Sequence, residues 1–405
     1  MKKHIIKKNI TSFIFIIMLF VFAGLNFRHT WPKLKNIDLS SVKDISQLQS
    51  AVDEAETIID DNIYQKYTFI EAYGLWHLIL DKKEVSGFAH IKDDKGYIHY
   101  SDFWNDQNND ISNIVNVVLE LKEKVAANGT ELIVVMPPVK DSETLVSYET
   151  GMQYCDKNWV ADEYLRRLEE KGVKIIDFRD TLKKSHLSYS DSFYITDHHW
   201  TTPAVFECFV EFTKKMNEWY GEDLDPEKLY TNIDNYNVLE YKDSNLGSHG
   251  RGTGIVYAGG LDDFTLMYPK YETDFMYTWS MMGAESVLHG RFEDTLVSTY
   301  NIVNDNIYTQ DKYASYMNGI ANYDFIDNKK NVDAPKVLFL RDSCTSPFAA
   351  FAAQLFSETD LIWSLKLNND LEDYVDINKY DYIVVSLYPD SLKNSMFNFS
   401  MNESE

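Results

Sequence analysis

The sequence predicts an α/β fold with a parallel sheet covered by helices, an N-terminal membrane segment before it and a mixed, partly β insertion within it. Three observations predict this. Short apolar runs at 132–136, 337–340 and 382–387, the last broken only by Ser386, read as buried strands. Amphipathic stretches of helical length alternate with the first of these runs, as in a parallel sheet. Two stretches of reactive side chains, Thr196-Asp197-His198-His199-Trp200 and Arg341-Asp342-Ser343-Cys344, each come after a predicted strand. Sites in such sheets gather outside the carboxyl ends of strands.

Composition narrows the class. A chain of 405 residues can bury one large core or two smaller ones. With 44% hydrophobic and 25% charged residues it is globular rather than disordered. A net charge of −24 argues against nucleic acid, and against an anionic membrane surface, as the main partner, and leaves a neutral glycan open. The 27 tyrosines and 8 tryptophans suit a carbohydrate-facing surface and suit an AT-rich genome equally, so they decide nothing. Cys155, Cys208 and Cys344 are too few and too scattered for a disulfide framework or a zinc knuckle.

Residues 1–28 form a targeting or anchoring segment. Lys2, Lys3, Lys7 and Lys8 precede an uncharged run over 9–27, which puts the N-terminus inside and the body outside. Either the run is an uncleaved anchor, or Val21-Phe22-Ala23 marks a signal-peptidase site. Residues 29–105 read as a juxtamembrane helical stalk and a hairpin. Ile45, Leu48, Val52, Ala55 and Ile59 make one apolar stripe, packed on the protein itself or against a membrane partner. Residues 67–80 are apolar enough to predict a buried helix. Residues 85–100 predict a hairpin turning at Asp93-Asp94-Lys95-Gly96.

The α/β body is expected over 106–395. Residues 111–127 form an amphipathic helix ended by Asn128-Gly129, and a strand at 132–136 is stopped by Pro137-Pro138. A helix at 161–171 and a strand at 173–177 follow. Thr202-Pro203 opens a helix reaching about Tyr220, with proline at a tolerated first-turn position. The insertion, 221–335, is polar and carries the glycine cluster Leu246-Gly247-Ser248-His249-Gly250-Arg251-Gly252-Thr253-Gly254. That cluster neither follows a buried strand nor opens a helix, so it is not a nucleotide fingerprint. Weak strands are expected at 255–258 and 264–268. The alternation then resumes with a strand at 337–340, a helix at 347–356, strands at 361–365 and 382–387, and a polar tail over 391–405.

The chemistry lies in the two motifs. A histidine base needs a carboxylate to fix its tautomer and to stabilise the imidazolium. Asp197 stands two residues before His199, so on an extended segment both point to one side. Ser343 is placed at a strand-to-helix turn about 140 residues later, a position that exposes a hydroxyl above a sheet. Plainer readings compete: Ser343 as a helix N-cap, Asp197 and His199 as a structural pair, and His198 as a packing neighbour. Trp200 either packs the turn or offers a platform to a sugar ring. Cys344 is the rival nucleophile, and Asp197, His198 and His199 are a candidate metal set that lacks a further ligand cluster. Gly247 and Arg251 offer a backbone donor and a charge to an oxyanion, or belong to a glycine-rich turn.

Tyr-Ile-Thr-Asp-His-His-Trp-Thr at 194–201 resembles the signature of the DHHW family of exported bacterial proteins, and Val-Leu-Phe-Leu-Arg-Asp-Ser at 337–343 resembles that family's second block. The pair is similar to the SGNH-hydrolase-like domains of alginate O-acetyltransferases of the AlgX and AlgJ type. The resemblance implies an SGNH-like three-layer sandwich and a triad of Ser343, His199 and Asp197. The order is reversed from ordinary SGNH hydrolases, in which the serine comes first. It also implies O-acetylation of an extracellular or cell-wall polysaccharide through an acyl-serine, without a cofactor, with the acyl group passed on by a membrane-bound O-acyltransferase. An esterase of the same fold and a non-catalytic glycan-binding protein are the alternatives. The chain departs from ordinary SGNH enzymes in having Arg341 where glycine usually precedes Asp-Ser. It has no Gly-x-Asn block for the oxyanion. Arg341, Tyr388, His198 and Trp200 join Gly247 and Arg251 as further substrate or oxyanion candidates.

Overall fold

The computed structural model describes residues 2–43, 45–102, 111–141, 146–221, 223–281, 284–303, 306–367 and 371–399. The expected boundary at 105/106 and the last part of the tail lie outside the described residues. The chain forms two compact units, Met1–Tyr73 and Gly74–Glu405.

The first unit is helical. Helix α1 (Lys2–Leu34) contains the stretch Asn9–Leu34, long and apolar enough to cross a membrane. Helix α2 (Ile45–Asp61) follows, and α3 (Lys66–Ile79) begins in this unit. The corner between α2 and α3 is fastened to α1. Thr30 Oγ1 donates to the Asn62 carbonyl at 3.3 Å, the Tyr64 N–H donates to Asn26 Oδ1 at 2.8 Å, and Phe22 and Phe69 meet edge to face at 5.5 Å. The apolar stripe of α2 is mostly unpacked, for Ile45, Leu48, Val52 and Ile59 are exposed and Ala55 is half-buried. The expected burial of α3 also fails: only Gly74 and His77 are buried. Gly74 is a point of close approach, since a Cβ there would lie 2.1 Å from the Thr253 carbonyl oxygen.

The second unit opens with three short antiparallel strands, β1 (Glu84–Val85), β2 (His90–Lys92) and β3 (Ile98–Tyr100). The turn between β2 and β3 has Gly96 at φ +93°, as the Asp-Asp-Lys-Gly sequence predicts. The body contributes β4 (Glu131–Met136), β5 (Lys174–Asp177), β6 (Tyr236–Asn245), β7 (Asp262–Pro269), β8 (Phe275–Met281), β9 (Ala284–Gly290), β10 (Tyr323–Asn328), β11 (Lys336–Arg341), β12 (Glu358–Trp363) and β13 (Tyr382–Ser386). Its longer helices are α4 (Ser112–Ala126), α5 (Asn158–Glu170), α6 (Phe178–Lys184), α7 (Thr202–Tyr220) and α8 (Thr345–Ala352).

Eight strands form one sheet in the order β5-β4-β13-β11-β12-β10-β8-β9. From β5 to β12 the pairings are parallel, and β10, β8 and β9 extend the sheet antiparallel. The insertion therefore lengthens the central sheet, with β6 and β7 as a separate ladder. The continuous apolar runs follow from helices on both faces. Ile133, Val135, Phe339 and Val384 pack with α7 and α8, while Leu132, Val134, Leu338, Leu340, Ile383 and Val385 pack with α4 and α5. This is the predicted α/β, SGNH-like three-layer arrangement.

The strand expected at 255–258 is instead one helical turn, Ile255–Ala258. Gly254 and Gly259, at φ +92° and +90°, turn the chain at both ends. The Ala258 and Gly259 N–H groups bond back to Gly254 and Ile255 at 3.0 Å, leaving no extended segment to pair.

Candidate active site

The nucleophile turn is built from the end of β11. Asp342 is buried and accepts the Cys344 N–H at 3.0 Å and the Tyr388 N–H at 2.8 Å, which ties the ends of β11 and β13 together. Burial pushes its carboxyl up to about 6, against the hydrogen bonds from Tyr388, Ser391 and Cys344. Ser343 follows at the head of α8, only partly buried. The residue in the cap position of α8 is Cys344, with no side-chain cap bond, so Ser343 is not spent as an N-cap. The Cys344 side chain is fully buried and burial raises its thiol well above the usual range, which removes it as the rival nucleophile.

The motif with the two histidines is a loop closed by a bridge between Phe193 and Trp200. Thr201 caps α7 through the Ala204 N–H, with Pro203 in its first turn. Three separate elements hold the loop. Lys140, buried just after β4, donates to the carbonyls of Tyr194 at 2.9 Å and Ile195 at 3.1 Å and to that of Asp197. Burial lowers its ammonium to about 8, with Asp262 and Asp197 opposing. Asp262, at the start of β7, accepts the N–H groups of Ile195 at 2.7 Å and Thr196 at 2.8 Å. The Gly247 N–H donates to Thr196 Oγ1 at 2.8 Å.

So held, the loop brings three predicted residues into one chain of hydrogen bonds. Asp197 Oδ1 accepts the His199 backbone N–H at 2.9 Å and faces His199 Nδ1 at 2.5 Å. The Ser248 N–H donates to Asp197 Oδ2 at 2.8 Å. His199 Nε2 lies 2.9 Å from Ser343 Oγ. Burial alone would raise the Asp197 carboxyl, but the charge and bonds of His199, with His198, hold it well below the ordinary range. An ionised Asp197 requires the proton on Nδ1 of His199, so Nε2 presents its lone pair to the serine hydroxyl. The His199 ring stacks on Tyr313, with centroids 3.7 Å apart and planes 11° off parallel. The Tyr313 hydroxyl and the Trp200 indole N–H both donate to the Cys344 carbonyl, at 3.0 Å and 2.9 Å. The base loop and the nucleophile turn are thus clamped directly together.

The remaining predicted residues are placed otherwise. His198 faces Ser248 Oγ at 2.9 Å, and burial, then His199, lowers its imidazole to about 3. Asp197, His198 and His199 bring donor atoms within 4.8 Å of one another, but Asp197 Oδ1, His198 Nδ1 and both ring nitrogens of His199 already face hydrogen-bond partners. Trp200 is fully buried, which excludes the sugar-platform reading. Arg341 is also fully buried, paired with Asp324 and bonded to Ser346 Oγ at 3.2 Å, so it faces the core rather than a substrate. Arg251 is engaged within the insertion, with the Leu246 carbonyl at 3.0 Å, the Gln310 carbonyl at 3.2 Å and Asp311 at 3.4 Å. With the Gly247 N–H also committed, neither residue supplies a free oxyanion donor. Tyr388 lines a small recess with His198, His249 and Lys140. Lys140, Ser248, Asp262, Tyr313 and Asp342 were not singled out by the sequence as parts of the site. Of these, only Ser248, inside the glycine cluster, and Asp342, inside the Asp-Ser motif, lay in segments that drew notice.

Residues 99–204 match the family described as SGNH hydrolase-like domain, acetyltransferase AlgX. The matched segment contains Asp197 and His199 and ends before Ser343. Among curated proteins, none matches the sequence. Solved structures share the fold. Bacillus cereus PatB1 with a sulfonyl adduct gives a TM-score of 0.57 at 17% identity, covering 77% of this chain and 99% of that one. The adduct-free Bacillus cereus PatB1 gives 0.56 at 18%, covering 76% and 99%. A DHHW family protein from Eubacterium siraeum gives 0.52 at 14%, covering 72% and 89%. The resemblance read from Asp-His-His-Trp is thus met both by a family and by a fold.

Proposed function

We propose that this protein is a Ser-His-Asp acyltransferase that acetylates a polysaccharide outside the cytoplasm through an acyl-serine intermediate. The observation that carries the reading is the continuous chain from Asp197 through His199 to Ser343, with contacts of 2.5 Å and 2.9 Å. His199 takes the proton of the Ser343 hydroxyl while Asp197 stabilises the imidazolium. Ser343 Oγ attacks the acyl carbonyl, and the tetrahedral intermediate collapses to the acyl-enzyme with the leaving group protonated by His199. The acceptor hydroxyl then repeats the sequence in reverse. The backbone N–H of Ser343 is our choice of oxyanion donor; it has no partner among the described residues. Loss of one such donor typically costs on the order of 10²–10³ in rate.

Transfer, rather than hydrolysis, is favoured by the acetyltransferase description of the matching family. PatB1, of similar fold, carries a sulfonyl adduct, the kind of product an activated nucleophile forms with a sulfonyl reagent. We place the protein at the cell membrane, with α1 as an anchor whose lysine-flanked start stays inside. The acyl group would reach Ser343 from a membrane-bound O-acyltransferase.

The test is an intact-mass measurement on the full chain in detergent, exposed to an activated acetyl ester and separately to a fluorophosphonate. One adduct at Ser343, absent from Ser343→Ala and His199→Ala, is expected. A folded wild type that takes no adduct would overturn the reading in favour of a glycan-binding scaffold. An acyl-enzyme that turns over in water as fast as with oligosaccharide would make it an esterase.

A further inference from the structure

We propose that α3 is a second membrane element, lying in the outer interface of the bilayer with its aromatic side against lipid. The inference rests on the anchor reading of α1. Phe69, Tyr73, Trp76 and Leu80 recur at spacings of four, three and four, one narrow stripe on a helix. Their exposures are 54%, 45%, 58% and 49%, and Ile79 beside them reaches 65%. The Leu80 N–H bonds to the Trp76 carbonyl at 3.1 Å, so the last helical turn carries the stripe to its end. The buried side of α3 is small: Gly74 and His77. A contiguous exposed stripe of this kind marks an interaction surface rather than ordinary scatter of apolar side chains.

Two observations choose lipid as the occupant. Within the first unit, Phe69 meets Phe22, and Phe22 lies inside the apolar stretch of α1. At 1.5 Å per residue, Phe22 sits about 9 Å along the helix before Arg28, the first charge after the apolar run. The start of α3 therefore shares the depth of the outer part of the span. Tyrosine and tryptophan are also the side chains that favour the water–lipid boundary, having an apolar body and a polar tip. With a net charge of −24 the chain gains nothing from anionic headgroups, so the contact is apolar and independent of lipid charge.

The experiment uses the full chain in liposomes of uncharged phosphatidylcholine containing a lipid with a diazirine in its acyl chain. Cleavage at lysine and arginine separates residues 9–28 of α1 from residues 67–82 of α3. Lipid adducts on both peptides are expected. Trp76→Asp should lower labelling of 67–82 several-fold and leave 9–28 unchanged, and adding anionic lipid should change neither. Label on 9–28 alone would overturn the role of α3 and leave the anchor intact. Label on neither would overturn both. Unlabelled 67–82 peptide that instead cross-links to a second copy of the chain would assign the stripe to self-association and overturn lipid contact.

Discussion

Gly247 lies so close to Asp197 that a Cβ on the glycine would come within 2.2 Å of the aspartate Cβ and 2.3 Å of its Oδ2. The backbone of Gly247 is an ordinary extended one, at φ −73°, so what matters is space rather than conformational freedom. Gly247→Ala should displace the carboxylate that orients His199. A misplacement of about 1 Å at such a group can cost roughly 10²-fold in rate. The expected result is a large fall in the fluorophosphonate labelling rate of Ser343, with circular dichroism unchanged. A labelling rate equal to wild type would show that the carboxylate relaxes without loss.

Tyr313 does two separable things. Its ring stacks on His199 and its hydroxyl holds the Cys344 carbonyl. Tyr313→Phe keeps the stack and loses one hydrogen bond, worth about 0.5–1.5 kcal/mol. Tyr313→Ala opens a cavity beside the imidazole. The phenylalanine variant should lower thermal stability modestly and keep most of the labelling rate, whereas the alanine variant should lose both. Equal rates for the two variants would mean that the stack does not position His199.

The Arg341–Asp324 pair is buried on both sides, and Tyr277 donates to Asp324 Oδ1 at 2.7 Å. Removing one partner leaves a buried charge alone, at a cost of roughly 3–5 kcal/mol. Asp324→Asn and Arg341→Met should each destabilise strongly. The double variant should recover much of the loss, because no lone charge is left. Chemical denaturation of the four proteins measures this coupling, and simple additivity of the two losses would contradict it.

Burial lowers His90 to about 4, with Lys140 adding to the effect. Below the unfolded value of 6.5 the unfolded chain binds a proton there that the folded chain refuses until about pH 4. This residue's contribution is therefore intact above pH 6.5 and declines as pH falls toward 4. Asp141 and Asp342, pushed up to about 6 by burial, act in the opposite sense between pH 6 and 3.8, so the wild-type profile alone is not diagnostic. His90→Gln should have a flatter Tm profile than wild type between pH 6.5 and 4. A parallel profile would mean that His90 is protonated in the fold.

The sheet was readable because its strands are covered on both faces, so 132–136 and 337–340 are apolar throughout and 382–387 admits one polar side chain, the buried Ser386. The hydrogen-bonded set of Asp197, His199 and Ser343 was readable because Asp197 and His199 are close in sequence and Ser343 follows an unmistakable strand. Lys140, Asp262 and Tyr313 were not, since each acts through a contact more than thirty residues away and has no local pattern of its own. α3 departs from its expected burial for a related reason. Apolar composition reports what a helix avoids, which is water, and does not say whether a protein core replaces it. The segment 255–258 turns instead of extending because its flanking glycines, not its β-favouring residues, set the chain direction.

The strand order has a consequence for how the molecule comes into being. β13 lies between β4 and β11, yet it is the last strand made. Without it, β4 and β5 share no ladder with the other strands of the sheet. A chain synthesised from its N-terminus therefore receives the keystone of its sheet last. Until residues 382–386 arrive, β4 and β5 stand as a separate pair, and the Asp342 carboxylate behind Ser343 lacks its Tyr388 partner.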